Sequence, residues 1–556
     1  MNRFLSAPVS CLLLGLAFLW PAPLLRAAAS PPTSVNQVFQ FMQNGTCTAW
    51  SDGQPSKATS YLWIPENCRK VRGLLILCAN VPEHRLVGHE EIRKVCAALD
   101  LAIVWSVPSF MNFRKTPEGK KMQDEIQTTV DFLQQQLDGL ARSSGYDEIA
   151  TVPWLPIGES GHLLMVDALV ENRPERCIAG IWLKNSHLPP KNRQVPALVV
   201  FGTAQEWTQD KSDIRTKWND IGKTYEGILE QRARNPEWPL SYVIDGHSGH
   251  FDCSERLTAY LVHYIECAVR ARLSDDGSPV LKPVALASGY LADLPVPGHE
   301  NKPVQRADKP AALPWYFDEA SAQEAQAIAA INWKAATQLP VYLDKENKVL
   351  PHDFNGITNL KELAYEDDGL TFTVRGGMAE SIPEGFLNAG EKLDRAPGEP
   401  VFEWLCGPIE ALGDGRFRIS VDRVWLGGGA TYIALRHPGN AEIRGVVQPA
   451  GLDLRGAIRN KSGKPQKITF DPIPDVPAGT PSLALKAVSD SGLPVRFFVV
   501  SGPAVVQGEQ LEFTRIPPRS KFPVEVNIAA WQWGRSTEPS VKMAEIVTQT
   551  FRITER

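Results

Sequence analysis

Between residues 35 and 273, short apolar, β-branched runs alternate with longer stretches whose apolar positions recur every three or four residues. Gly73-Leu74-Leu75-Ile76-Leu77-Cys78-Ala79 has no polar interruption, the pattern of a strand covered on both faces. A helical stretch follows at 90–99, then a second buried strand, Leu101-Ala102-Ile103-Val104-Trp105. Met122, Ile126, Val130, Leu133, Leu137 and Leu140 fall on one face of a helix. Further strands are predicted at 178–183, 197–201 and 240–244, and further helices at 211–233 and 253–272. Strand–helix alternation of this kind predicts an α/β fold with a mostly parallel sheet.

After Leu273 the periodicity changes. Pro and Gly become frequent and short alternating strands appear, such as Leu370-Thr371-Phe372-Thr373-Val374. One helix is predicted at 319–333, opened by Asp318 as its N-cap. Residues 283–475 read as a β-rich region. From 481 to 556, runs at 483–488, 495–500, 510–514, 524–529 and 548–553 alternate at period two and predict a small antiparallel sandwich behind a Pro-rich linker at 471–481. Trp315, Trp333, Trp404 and Trp425 are either core anchors of the β-rich region or a surface on which sugars stack.

Residues 1–29 carry the parts of a cleavable export signal: Arg3, an apolar run from Cys11 to Leu19, and Ala27-Ala28-Ala29. Pro21 and Pro23 end that run short of the ~20 residues a membrane span needs, so a secreted or periplasmic protein without a membrane span is expected. The chain of 556 residues has a formal charge of −5, with no basic excess for a phosphate backbone, so nucleic acid is not an expected partner. Export permits disulfides; Cys47 and Cys68 flank a predicted strand and are the candidate bridge.

The chemistry concentrates at Pro156-Ile157-Gly158-Glu159-Ser160-Gly161-His162, which leaves an apolar run and enters a helix near Leu163. A serine on a sharp strand-to-helix turn is held exposed above a helix N-terminus, and glycines beside it relieve the crowding of the turn. Over residues 35–273 the chain resembles the α/β-hydrolase superfamily, and within it secreted serine esterases with β-rich C-terminal extensions. It departs from the family's G-x-S-x-G at His162, where a small residue is usual. Ser491-Gly492-Leu493-Pro494-Val495 and Ala530-Trp531-Gln532-Trp533-Gly534 resemble bacterial immunoglobulin-like modules of surface proteins, which implies a spacer or adhesion role for the C-terminal sandwich.

The resemblance implies a chain order of nucleophile, acid and histidine. Ser160 is then the nucleophile, Glu206 after the strand at 197–201 is the acid, and His250 in Asp245-Gly246-His247-Ser248-Gly249-His250-Phe251 is the base. Asp210, Asp213 and Asp245 stay open as alternative acids. His247 competes with His250 and otherwise caps the turn. The H-x-x-H spacing lacks a third ligand nearby, so neither a metal nor a cofactor is expected. The oxyanion hole is expected from the backbone N–H of Gly161 with that of Asn80 or Val81, because Pro82 has none. Glu159 is read as a surface flank of the turn or as facing the pocket, and His84, His89 and His162 receive no role. The expected activity is ester hydrolysis on carbohydrate or aryl esters, an esterified polysaccharide among them. The alternative is an inactive hydrolase-fold protein that binds or builds a surface.

Overall fold

The computed structural model describes residues 38–48, 55–110, 122–184, 192–204, 219–299, 301–353, 356–456 and 458–555. The expected export segment lies outside these. Eight strands form one sheet: β1 (Phe41–Thr48), β2 (Pro55–Trp63), β3 (Gly73–Cys78), β4 (Leu101–Val107), β5 (Trp154–Glu159), β6 (Gly180–Leu183), β7 (Ala197–Ala204) and β8 (Leu240–Gly249). Their order is β1-β2-β4-β3-β5-β6-β7-β8, and β2 alone runs against the rest. The helices are α1 (Val81–Gly88), α2 (Glu90–Ala98), α3 (Met122–Ser144), α4 (Leu163–Asn172), α5 (Asn219–Arg234), α6 (Glu255–Arg272) and α7 (Glu319–Ala329). This is an α/β fold with a mostly parallel sheet, as the alternation of apolar runs predicts.

The apolar strands are buried because both faces are covered. Every residue of β3, β4, β5 and β6 is buried, and Leu133, Leu137 and Leu140 of α3 are fully enclosed. The connections leave β3 toward β4 on one side, then return to β5 on the other. That reversal opens a crevice beyond the carboxyl ends of β3 and β5, where ligands bind in open α/β sheets. Asn80 follows β3 and Ser160 follows β5, so both stand at its mouth.

The first unpredicted elements are α1 and β1. Val81-Pro82-Glu83-His84-Arg85-Leu86-Val87-Gly88 is buried along its whole length, polar residues included, so no amphipathic period marks it in sequence. The segment after Leu273 stays on the sheet: Ser241 Oγ donates to the Trp315 carbonyl (2.6 Å), Tyr316 Oη to the Tyr242 carbonyl (2.8 Å), and α7 packs on β8 and α6.

Beyond α7 the chain is β-rich. One four-stranded sheet has the order Thr358–Leu360, Val446–Leu452, Tyr432–His437, Val401–Cys406. The C-terminal residues form a sheet of four strands and a sheet of three, with Phe513 and Phe551 in ring contact at 6.1 Å. The expected linker at 471–481 is drawn into this structure: Val476–Pro477 pairs in parallel with Ile553 and Thr554. These sheets are also tied to the first region. Gly502 N–H donates to the Phe39 carbonyl (2.8 Å), Lys521 N–H to that of Ser144 (2.9 Å), and buried Arg423 donates to the carbonyls of Val499 and Val500 while lying over the rings of Phe39 and Tyr61.

One expectation fails here. Among the described residues no disulfide joins Cys47 to Cys68. Cys47 is in β1 and Cys68 sits in the turn before β3, where Tyr146 Oη donates to its carbonyl; both are buried small apolar groups, the usual role of a reduced cysteine. Of the two readings of the tryptophans, that of core anchors holds and the sugar-stacking surface does not. Trp315, Trp404 and Trp425 are buried, and half-buried Trp333 packs on the core with its Nε1 donating to the Pro295 carbonyl.

A buried charge network holds the strand ends in place. Lys184 Nζ, at the end of β6, lies 2.7 Å from Asp245 Oδ2 and donates to Ser248 Oγ at 2.8 Å, with both Lys184 and Asp245 side chains 1% exposed. Asp245 Oδ1 accepts from Ser254 Oγ, the N-cap of α6. Ser248 Oγ donates to Asp252, which pairs with Arg436 at 2.6 Å, and Arg436 reaches Glu403 at 3.0 Å. Removing one partner of such a pair leaves the other charge buried without compensation, at a cost of about 3–5 kcal/mol. Lys184→Met should therefore lower the unfolding free energy by about that amount in urea denaturation, and adding Asp245→Asn should recover part of it. A loss below about 1 kcal/mol for the single variant would contradict the network's role.

Candidate active site

Ser160 follows β5 directly and has φ 51°, a left-handed conformation that a residue with a Cβ adopts only under constraint. Gly158 makes the turn possible. A Cβ there would lie 2.4 Å from the His162 carbonyl oxygen, which crosses back over the strand end. Residues Ser160–His162 form one tight turn that runs into α4, so the Gly161 N–H belongs to a helix entry whose first donors lack intrahelical partners. The departure at position 162 leaves the turn intact. What Gly158 must clear is the His162 backbone, while the His162 imidazole turns toward Glu83, with Nδ1 3.7 Å from Oε1.

The structure brings Ser160 and His250 together. Ser160 Oγ and His250 Nε2 are 2.9 Å apart, and His250 is 3% exposed. His250 stands just beyond β8, between Ser248 and Asp252 of the charge network. Burial alone would raise the Asp252 carboxyl, but Arg436, Lys184 and Arg85 hold it at about 2. Phe251 meets the His250 ring edge-on at 4.7 Å.

The other candidates fall in different places. Glu206, Asp210 and Asp213 lie outside the described residues. Asp245 is committed to Lys184 and Ser254. His247 faces the β-rich region: its Nδ1 accepts from Gly445 N–H at 3.0 Å and its own N–H donates to Thr203 Oγ1. Burial lowers its pKa, so it is a neutral turn-holding imidazole. Val81 is the first residue of α1 and Asn80 its N-cap, so the expected loop is a helix start, whose first backbone N–H groups lack intrahelical partners. Asn80 Nδ2 donates to the Glu159 carbonyl at 3.1 Å and to Glu159 Oε2.

Several site residues have no local signal in the sequence. Glu159 is fully buried, with Oε1 3.4 Å from His250 Nε2, so it faces the pocket. Glu83, also fully buried, accepts from the Glu159 N–H at 2.8 Å and fixes the turn from behind. The pocket's far wall comes from strands more than 150 residues later. Leu405, Cys406, Ala434 and Val447 pack with Val81, Tyr432 stacks on Phe251 at 5.0 Å, and Pro449 joins Leu405 and Val447 opposite His250. His84 anchors this wall: Nδ1 accepts from Gly407 N–H at 3.1 Å while the ring stacks on Trp105. Burial, helped by Arg423, pushes His84 down to about 3 and keeps it neutral. His89 accepts from Glu91 N–H at the start of α2 and pairs with Glu255.

No helix among the described residues is long and apolar enough to cross a membrane. No known family model matches the chain, and no curated protein does. Solved structures similar to part of it include an S-formylglutathione hydrolase from Agrobacterium tumefaciens, at 11% identity and a TM-score of 0.26, covering 41% of this chain and 94% of that one. A poly(3-hydroxybutyrate) depolymerase from Bordetella parapertussis is similar at 12% identity and TM-score 0.28, over 44% of this chain and 96% of that one. A dienelactone hydrolase from Anabaena variabilis is similar at 14% identity and TM-score 0.25, over 42% and 99%.

Proposed function

We propose that the chain is a secreted or periplasmic serine hydrolase that cleaves esters through an acyl-enzyme. One observation carries this reading: Ser160, held at positive φ on the strand-to-helix turn, has its Oγ 2.9 Å from His250 Nε2. In the first half-reaction His250 Nε2 takes the Oγ proton as Oγ bonds to the acyl carbon, and then gives it to the departing alcohol oxygen. In the second half water enters by the same route and releases the acid. The Gly161 N–H, with that of Val81 or Asn80, would receive the oxyanion. Glu206 is proposed as the acid that orients the imidazole; it is the second residue after β7, one position beyond Gln205, where the superfamily resemblance places an aspartate. Buried Glu159 adds a carboxylate on the Ser160 side, where it favours the imidazolium that forms during transfer.

The walls support a reading of the substrate class. Phe251, Tyr432, Leu405, Val447 and Pro449 offer apolar surface and little room for a charged acyl group, which fits short acyl and aryl esters. An esterified polysaccharide as the natural carrier rests on export and the appended β-regions. The C-terminal sheets are proposed as an immunoglobulin-like spacer.

A fluorophosphonate probe should label the mature chain at Ser160. Ser160→Ala should abolish labelling and lower kcat on an aryl acetate by about 10⁴-fold or more, with the melting temperature unchanged. An unlabelled wild-type chain would instead favour the inactive binding protein.

Glu206→Gln keeps volume and removes charge, and should lower kcat roughly 10²- to 10³-fold without loss of fold. Asp245→Asn should act on stability, read by urea denaturation, because its carboxylate serves Lys184. A large kcat loss in Asp245→Asn at unchanged stability, with Glu206→Gln mild, would assign the acid to Asp245.

A further inference from the structure

Away from Ser160, three side chains of metal-ligating type converge where α6 meets α7. His263 and Cys267 are four residues apart on α6 and share a face, and Asp318 caps α7. His263 Nε2 is 2.9 Å from Asp318 Oδ2, Cys267 Sγ is 3.3 Å from the same oxygen, and Sγ is 3.6 Å from Nε2. Each of the three atoms touches the other two. A proton relay would need the imidazole to face its partners with different nitrogens, as a nucleophile–histidine–acid triad does. Here Nε2 alone faces both, so the arrangement is a cradle around one point.

The edge lengths of the cradle match a known coordination geometry. Zinc bonds of about 2.3 Å to sulfur and about 2.0 Å to nitrogen and oxygen, at tetrahedral angles, set ligand separations of about 3.3 Å for N···O and about 3.5 Å for S···O and S···N. The observed edges differ from these by about 0.4 Å or less, within reach of small rotamer shifts. Asp318 Oδ1 is occupied by the N–H and Oγ of Ser321, which orients the carboxylate and turns Oδ2 to the cradle. The His263 and Asp318 side chains are each 40% exposed, so water can reach the remaining position.

We propose that His263, Cys267 and Asp318 bind one divalent transition metal of the zinc class, with water completing a tetrahedron and the ion bolting α7 onto α6. A sulfur and an imidazole nitrogen among three ligands disfavour calcium and magnesium, which take oxygen. Thiolate and carboxylate balance the ion's two positive charges. The Cys267 thiol proton and the proton on His263 Nε2 leave to solvent when the bonds form. Asp318 is 51 residues from Cys267, so no short spacing announces the site, and the expectation of no metal weighed a different pair of histidines.

The test uses the tag-free mature chain, stripped with chelator and titrated with Co²⁺. One equivalent should bind with a thiolate-to-cobalt charge-transfer band, and Cys267→Ser should lose that band. Zinc competition should show affinity weakened about 100-fold or more in His263→Gln, at least the upper range for losing an outer-shell partner. As a check that needs no variant, zinc should protect Cys267 of the wild-type chain from iodoacetamide, read by mass spectrometry. Cobalt binding without the band, a band that persists in Cys267→Ser, wild-type zinc affinity in His263→Gln, or no protection of Cys267 would overturn the proposal.

Discussion

The buried ammonium of Lys184 is the contact on which the site's geometry depends. It sits at the end of β6 with Asp245 and Ser248 around it, and through them it fixes the end of β8, the N-cap of α6 and, by way of Asp252 and Arg436, the β-rich region. A charge removed from water is stable only with partners at short range, so the surrounding segments have little freedom. His250 lies inside this bracket, and its position opposite Ser160 follows from it. A loop after a last strand is otherwise among the more mobile parts of a domain.

The second constraint is steric. Positive φ at Ser160 costs of order 1–3 kcal/mol in isolation and persists only where the surroundings over-determine it. Here they do. Gly158 lets the His162 backbone cross, Glu83 accepts from the Glu159 N–H, and Asn80 ties the Glu159 carbonyl and carboxylate to the end of β3. The strain is held by two buried carboxylates and one amide, all of them close to Ser160.

The β-rich region is part of this site as well as an appendage to it. Its strands Val401–Cys406 and Tyr432–His437 cover α1 and Phe251, and Arg436 holds the segment after His250. A pocket assembled this way has one wall from the sheet and one from a distant region, so its shape can change in the wall while the turn at Ser160 stays fixed.

The sequence by itself determined the mostly parallel sheet, because strands buried on both faces must be continuously apolar, and β3 and β4 are. It also placed Ser160 on its turn and His250 after the last strand, since glycine spacing and chain order are local properties. Tertiary structure alone decided the rest. Glu159 reads as a polar neighbour of Ser160 until Asn80, brought beside it by β3, takes its carboxylate. Helix α1 has no polar face because the β-rich region buries the face that water would otherwise meet. The burial of Cys47 and Cys68 without a disulfide between them, the buried tryptophans and the meeting of His263, Cys267 and Asp318 belong to the same class. Each depends on which surfaces two distant segments present to each other, and sequence periodicity reports only whether a residue is buried, never against what.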